Sequence, residues 1–225
     1  MGLLDKALKA VADVAGDALS GAASGLKGEW TQNRLITLAA QPDDLDQLKA
    51  AVDVTDPGSV AAYWLYSVMA LTADYDIGMS MMKYLFADIE PFGRGYTEGG
   101  KSGKAGLDPF FLDRIKDDDY RWLPRAYFEG SSASNGFHPA TPLAVQLYYN
   151  KPNTETINSQ TLSQLGRLNI VYYVKSHAAG AQVNIDVSKF DGSDRFYVTN
   201  GTASSGLFYD QRSALTAEAR QKLWS

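Results

Sequence analysis

Residues 120–142 read YRWLPRAYFEGSSASNGFHPATP, and the spacing of apolar residues changes on either side of this stretch. Before it, over residues 31–119, apolar residues recur every three or four positions, as in helices. After it, over residues 143–212, they alternate with polar residues, as in strands. The stretch itself mixes aromatic residues with prolines and glycines, which predicts an ordered, packed crossover. The sequence therefore predicts an α+β fold, with N-terminal helices on one face of a C-terminal antiparallel sheet of about four or five strands.

Helix signals fill the half before the crossover. Asp56 is a predicted N-cap, and Pro57 follows it at the first position of the helix. The same Asp-Pro pair recurs at 108–109 and predicts the start of another helix. Residues 30–40 are predicted to form a helix that stops near Pro42. The buried faces of the next three helices are predicted to be Leu45, Leu48 and Val52; Val60, Trp64, Val68 and Leu71; and Ile77, Met81, Leu85 and Ile89.

Strand signals fill the half after the crossover. The alternating apolar residues are Leu143, Val145, Leu147 and Tyr149; Leu168, Ile170, Tyr172 and Val174; and Val183, Ile185 and Val187. Tight turns are predicted at 191–192 and 200–201, before strands over 195–199 and 207–209. Because apolar and polar residues alternate along each strand, one face of the sheet is expected to be exposed to solvent and the other to pack on the core. Residues 213–225 are predicted to form a short C-terminal helix.

Composition narrows the class of protein. The chain has 225 residues, a formal net charge of −5 and a pI of about 5.0, which argues against general nucleic-acid binding. It has no cysteine and only His138 and His177, so disulfides, zinc-thiolate sites and cysteine nucleophiles are excluded. No apolar run is long enough to span a membrane, and Asp5, Lys9 and Asp13 interrupt any secretory signal. We expect a cytoplasmic protein with no metal and no cofactor.

The first segment, residues 3–27, is predicted to be an amphipathic helix rich in alanine and glycine. Its apolar face comprises Leu4, Leu8, Val11, Ala15, Ala18, Ala22 and Leu26. Glycines weaken an isolated helix, so this one needs a partner. That partner is its own domain, a second protein molecule or a membrane surface. Three lysines against three aspartates and one glutamate in residues 1–30 disfavour the membrane.

A glycine-rich loop contains the phosphate-binding pattern G-x-x-x-x-G-K-[ST] as GYTEGGKS, with Gly95, Gly100, Lys101 and Ser102 at the defining positions. A functional P-loop follows a buried strand and opens a helix. Neither signal flanks this loop. It is predicted to be a connection between helices, with anion binding by Lys101 and Lys104 as an alternative and nucleotide binding as a remote one.

Other catalytic signals are missing from the sequence, which lacks G-x-S-x-G, H-E-x-x-H and a paired-carboxylate signature. We name no catalytic residue. The acidic run 117–119 is predicted to be a solvated turn, and the long polar loop at 150–166 is a candidate functional segment. A pocket between sheet and helices would be lined by polar-tipped side chains from the crossover and the strands. These candidates are Tyr127, His138, Tyr149 and Tyr172.

The crossover also carries a family resemblance. LPRAYFEG at 123–130, NGFHP at 135–139 and Pro142 resemble the central Leu-Pro-x-x-Tyr-Phe-x-Gly motif of an uncharacterised bacterial family, a domain of unknown function. The resemblance covers about residues 45–212 and leaves out the N-terminal helix. Two features depart from it, namely the glycine-rich loop and the glycine-split last strand. The resemblance implies no activity, cofactor or catalytic residue.

Two main functional hypotheses follow, beside the remote one of nucleotide binding through residues 95–102. The first is a non-catalytic interaction or assembly module that binds itself or another protein through residues 3–27. The second is a small-ligand-binding protein or enzyme with a pocket between sheet and helices.

Overall fold

The computed structural model describes residues 32–86, 96–97, 101–102, 114, 116–149, 167–178, 182–200 and 216–223. Its strands are β1 (Gln32–Thr37), β2 (Tyr96–Thr97), β3 (Lys101–Ser102), β4 (Ala144–Tyr149), β5 (Arg167–Lys175), β6 (Gln182–Phe190) and β7 (Phe196–Asn200). Its α-helices are α1 (Leu45–Ala51), α2 (Pro57–Ala73), α3 (Tyr75–Leu85) and α4 (Ala217–Leu223). Two 3₁₀ helices, Leu123–Tyr127 and Ala133–Asn135, lie in the crossover. The predicted α+β fold is confirmed.

The five-stranded sheet has the order β1-β4-β5-β6-β7, and every neighbouring pair is antiparallel. The predicted alternation is confirmed in the three long central strands, where residues such as Val145, Ile170 and Ile185 are buried. The opposite face is not uniformly exposed as predicted, because Tyr173, Ser188 and Phe190 on it are buried. The buried Ser188 hydroxyl donates to Asn169. Gly192, with a φ of 77°, forms the predicted turn between β6 and β7.

The first strand corrects the sequence analysis, because the helix predicted over residues 30–40 is wrong. Residues 32–37 form an edge strand instead, and Ile36 lies opposite Val145 of β4. Only Ile36 of these six residues is buried, so the strand lacks the alternation that reveals strands in a sequence. Its pairing with a strand more than a hundred residues away determines its conformation.

The predicted capped helices are confirmed. Asp44 caps α1, and Asp56 caps α2 by accepting a hydrogen bond from the Gly58 N–H. The predicted apolar face of α2 is buried, and so is most of the rest of that helix, because the sheet, α3 and the crossover all pack against it. Asp74 ends α2 and caps α3.

Close contact joins α2 to α3. A Cβ atom on Gly78 would lie only 2.2 Å from the backbone of Leu71, so no other residue type fits between these helices without movement. In α3, Met81 and Leu85 are buried as predicted. The helix ends at Leu85, with Phe86 as its C-cap, before the predicted end at Pro91.

The crossover is ordered and packed, as predicted. Trp122, Phe128 and Phe137 are fully buried, and the rings of Trp122 and Phe137 stack with centroids 4.3 Å apart. The backbone of His177, in the β5–β6 connection, donates to the Ala126 carbonyl at 2.8 Å. The crossover thus forms part of the core between the helices and the sheet.

The predicted C-terminal helix is confirmed over its described part, where Ala219 and Leu223 of α4 are buried.

Other predictions lie outside the described residues. These are the helix at 3–27, the start of a helix at 108–109, the loop at 150–166 and the strand at 207–209. No helix in the described ranges has the length and apolar content needed to cross a membrane.

Candidate functional site

Four polar side chains meet where β1 passes the start of α2, and we call them the rim cluster: Arg34, Asp56, Tyr149 and Tyr172. Arg34 Nη1 donates to Asp56 Oδ1 at 2.7 Å, and Nη2 donates to Oδ2 at 2.6 Å. The ring of Tyr149 packs edge-on against that of Tyr172, with centroids 5.7 Å apart. Gly58 leaves room for the ion pair, since a Cβ there would lie 3.2 Å from Arg34 Nη1.

The charges of the rim cluster act on one another. The hydrogen bond with Asp56 raises the pKa of Arg34. Burial raises the pKa of Tyr172, the negative charge of Asp56 adds to this effect, and the positive charge of Arg34 opposes it. The cluster therefore presents a neutralised ion pair beside a tyrosine that stays protonated at neutral pH.

This arrangement suits binding better than proton transfer. About half of the Arg34 side chain is exposed, so a ligand in solvent can reach it. The phenol group of half-buried Tyr149 adds a hydrogen-bond donor beside it, whereas Tyr172 is buried behind that ring. The cluster contains neither a histidine nor a serine or cysteine, so it lacks a nucleophile with its base.

Metal binding finds no support within the described ranges, where no group of three or more His, Cys, Asp or Glu side chains is suited to hold an ion. The acidic run forms the predicted turn. Asp117 accepts a hydrogen bond from the Asp119 N–H, Asp118 pairs with Arg121 at 2.8 Å, and Asp119 pairs with Arg220. Its carboxylates are therefore engaged by neighbouring residues.

The predicted pocket residues lie in different environments. Tyr149 and Tyr172 are brought together in the rim cluster. Tyr127 lies in the first 3₁₀ helix, fully buried in the core. His138 Nε2 lies 2.9 Å from the carbonyl oxygen of Lys222, so this side chain joins the crossover to α4.

The glycine-rich loop is described only at residues 96–97 and 101–102, where it forms the short hairpin of β2 and β3. Thr97 lies opposite Lys101, and Tyr96 lies opposite Ser102. In a P-loop the lysine and the hydroxyl residue open a helix, whereas here both belong to a strand. Gly95, Gly100 and Lys104 lie outside the described residues.

The second candidate feature is the side of β1 that faces away from β4, where no described strand pairs with it. The Leu38 N–H donates to the Leu143 carbonyl at 2.8 Å. Because antiparallel pairs alternate, the N–H and C=O groups of residues 34 and 36 also face β4, and those of Asn33, Leu35 and Thr37 face away from it. We call these three residues the open edge. All three side chains are exposed, Leu35 by 54%.

The predicted association helix, residues 3–27, lies outside the described residues, and the described part of the chain begins at Gln32 in β1. Neither Arg34 nor Leu35 is a predicted site residue, because both lie in the stretch predicted to be a helix. The β-branched Ile36 and Thr37 were the available strand signal. Nothing in the sequence marks Arg34 and Asp56 as an ion pair.

The fold and these features define an α+β domain whose described residues include a polar rim cluster and an open sheet edge. Residues 40–214 match the family model described as "Domain of unknown function (DUF6935)", which confirms the resemblance seen in the crossover. The chain belongs to this family. No curated protein and no solved structure matches the chain. The family match begins after β1, so the open edge belongs to the segment that precedes it.

Proposed function

We propose that the chain is a non-catalytic assembly module that binds a second protein molecule, a copy of itself or a different protein, through residues 3–27. The observation that carries this proposal is the position of β1. The predicted association helix ends about five residues before this strand begins, and β1 is fixed at the edge of the sheet. A partner held by residues 3–27 is therefore held close to the domain.

Two contacts fix β1 to the domain. The Arg34–Asp56 ion pair joins it to the start of α2, and the Leu38–Leu143 hydrogen bond continues its ladder with β4. Both the association helix and β1 precede the part of the chain that matches the family model. This supports a family domain extended at its N-terminus by an assembly element.

The proposed compartment is the bacterial cytoplasm, on the sequence grounds given above. Fractionation of the producing cells, with detection of the untagged chain, tests this. Recovery in the periplasmic or extracellular fraction would overturn it.

Light scattering tests the assembly proposal. The full-length chain is compared with Leu8→Asp, on the predicted apolar face of residues 3–27, and with Lys9→Asp, on the opposite face. We expect the intact chain and Lys9→Asp to form one defined oligomer, or to capture the same partner from the native cell extract. We expect Leu8→Asp to lose that property. Equal masses and equal partners for all three chains would contradict the proposal.

A second candidate function is recognition of a small polar ligand, and the rim cluster favours it. Two tyrosines and a half-exposed guanidinium converge beside a carboxylate. A thermal-shift screen of sugars, amino acids and phosphate esters tests this candidate. A ligand that raises the melting temperature of the intact chain, but not of Tyr149→Phe, supports it. Tyr148→Phe is the control, because Tyr148 lies on the opposite face of the sheet.

A further inference from the structure

The two edges of the sheet differ. At the β7 edge, Phe86 forms a bridge with Val198, and the Phe196 N–H donates to the Val54 carbonyl at 2.8 Å. Other parts of the chain therefore cover that edge. At the β1 edge, no strand among the described residues lies beyond β1, and Asn33, Leu35 and Thr37 turn their backbone groups outward.

The open edge carries little of the usual protection. Natural proteins block edge strands with prolines, bulges and charged side chains, including charges that point inward. β1 reads QNRLIT and contains no proline. Its one charge, on Arg34, is turned to the helix side of the sheet and is neutralised by Asp56. Leu35 is instead an exposed apolar side chain, and its backbone N–H and C=O face away from β4.

We propose that β1 pairs antiparallel with β1 of a second copy, about a two-fold axis at Leu35. This inference rests on the proposed self-association and names the surface that performs it. In this register Leu35 lies opposite the partner's Leu35, and Asn33 lies opposite Thr37 of the partner subunit. Every outward N–H of one copy then meets an outward C=O of the other, and the two exposed leucines cover each other.

A second copy fits this edge better than a fibre of copies does. Among the described residues the sheet has one open edge, so pairing of β1 with β1 uses that edge in both molecules and limits the assembly to a dimer. A continuous sheet then crosses the two domains. A six-residue ladder alone buries less surface than a stable interface needs.

The remaining contact comes from the segment before β1. In the centred register, Gln32 lies opposite Leu38 of the partner subunit. We assign the remaining contact to residues 3–27, the association segment on which the proposed function rests.

Site-specific crosslinking tests the register, because the natural chain has no cysteine. Full-length Leu35→Cys and Asn33→Cys are each treated with a short bis-maleimide. Across the proposed axis, two residues 35 have Cα atoms about 5.5 Å apart, whereas two residues 33 lie about 14 Å apart. We expect at least a tenfold higher yield of crosslinked pairs for Leu35→Cys. Equal yields, or none for either variant, would overturn the proposed register.

Light scattering of two full-length variants separates backbone pairing from the leucine contact. Leu35→Pro removes an outward N–H without touching the ladder with β4, and Leu35→Thr keeps that N–H. We expect Leu35→Pro to be monomeric with an unchanged circular dichroism spectrum and Leu35→Thr to stay paired. A paired Leu35→Pro chain would overturn edge pairing and leave assembly through residues 3–27 standing. A monomeric natural chain would overturn both self-association and edge pairing. If Leu35→Pro unfolds, the crosslinking yields alone decide whether β1 pairs with β1 in the proposed register.

Discussion

Arg34 in the edge strand forms a two-point ion pair with Asp56, the N-cap of α2. Asp56 therefore has two tasks, since one of its oxygens also accepts the Gly58 N–H at 3.0 Å. The ion pair is partly exposed, so its own contribution is small, and the cap contributes separately.

We expect Asp56→Ala to lower the free energy of unfolding by about 1–2 kcal/mol, because it removes both the cap and the ion pair. We expect Arg34→Met to lower it by less than about 1 kcal/mol. Urea unfolding measures both values. Asp46→Ala is the control, because it breaks only the exposed pair with Lys49. Equal losses for Asp56→Ala and Arg34→Met would mean that the ion pair, and not the cap, carries the effect.

Gly78→Ala tests the close packing of α2 and α3. Helix propensity alone favours the substitution by about 1 kcal/mol. Packing opposes it, since the new Cβ would lie 2.2 Å from the Leu71 backbone. We expect a net destabilisation of about 1–3 kcal/mol. Denaturant unfolding measures the sign of the change in the free energy of unfolding. A stabilised variant would show that the two helices separate easily.

Phe137→Ala tests the packed crossover. Phe137 is fully buried and stacks on Trp122, whose indole N–H donates to the Asp119 carbonyl. We expect a loss of about 3–5 kcal/mol in the free energy of unfolding. Phe137→Leu keeps most of the apolar volume and is expected to lose clearly less. Similar losses for both variants would assign the effect to the ring stack and not to buried volume.

Tyr66 predicts an alkaline limit to stability. Burial, aided by the charge of Asp43, raises its pKa from 10.0 to about 12. Its hydroxyl donates to the Pro42 carbonyl at 2.9 Å. Below pH 10 the phenol is protonated in both states, and its stabilising contribution is complete. As pH rises from 10 towards 12, the unfolded chain releases this proton first, so that contribution is lost.

Denaturant unfolding at pH 8 and pH 11 measures this effect. We expect the natural chain to lose more stability between these pH values than Tyr66→Phe does, by on the order of 1 kcal/mol. Burial also raises the pKa values of Tyr172 and Tyr173, so Tyr66→Phe keeps part of the pH dependence. Parallel pH profiles for the natural chain and the variant would contradict the assignment to Tyr66.

Local signals in the sequence predicted much of this fold. The side chains of Asp44 and Asp56 and the ring of Pro57 act within one helical turn, so a short sequence window reveals them. The alternation in β5 and β6 is equally local, because one face of each strand is buried. The crossover was predicted to be packed because Trp122 and Phe137 are too large and apolar to leave in water.

Features that depend on distant parts of the chain were missed. β1 is a strand because β4 pairs with it, and its single buried residue leaves no periodic pattern. The rim cluster joins Arg34 from β1, Asp56 from α2 and two tyrosines from the sheet, so it exists only after the topology is formed. Tyr149 and Tyr172 were identified as candidates from residue type, but their charged neighbours were not.

The pairing of β1 with β4 also fixes an order of events during synthesis. Thr37 pairs with Ala144, more than a hundred residues later in the chain. At ribosomal rates this separation corresponds to a delay of roughly 5–20 s. Throughout that interval the first strand and the segment before it are synthesised but have no sheet to join. Neighbouring chains on one messenger RNA therefore have a window in which their N-terminal segments meet before either domain is complete.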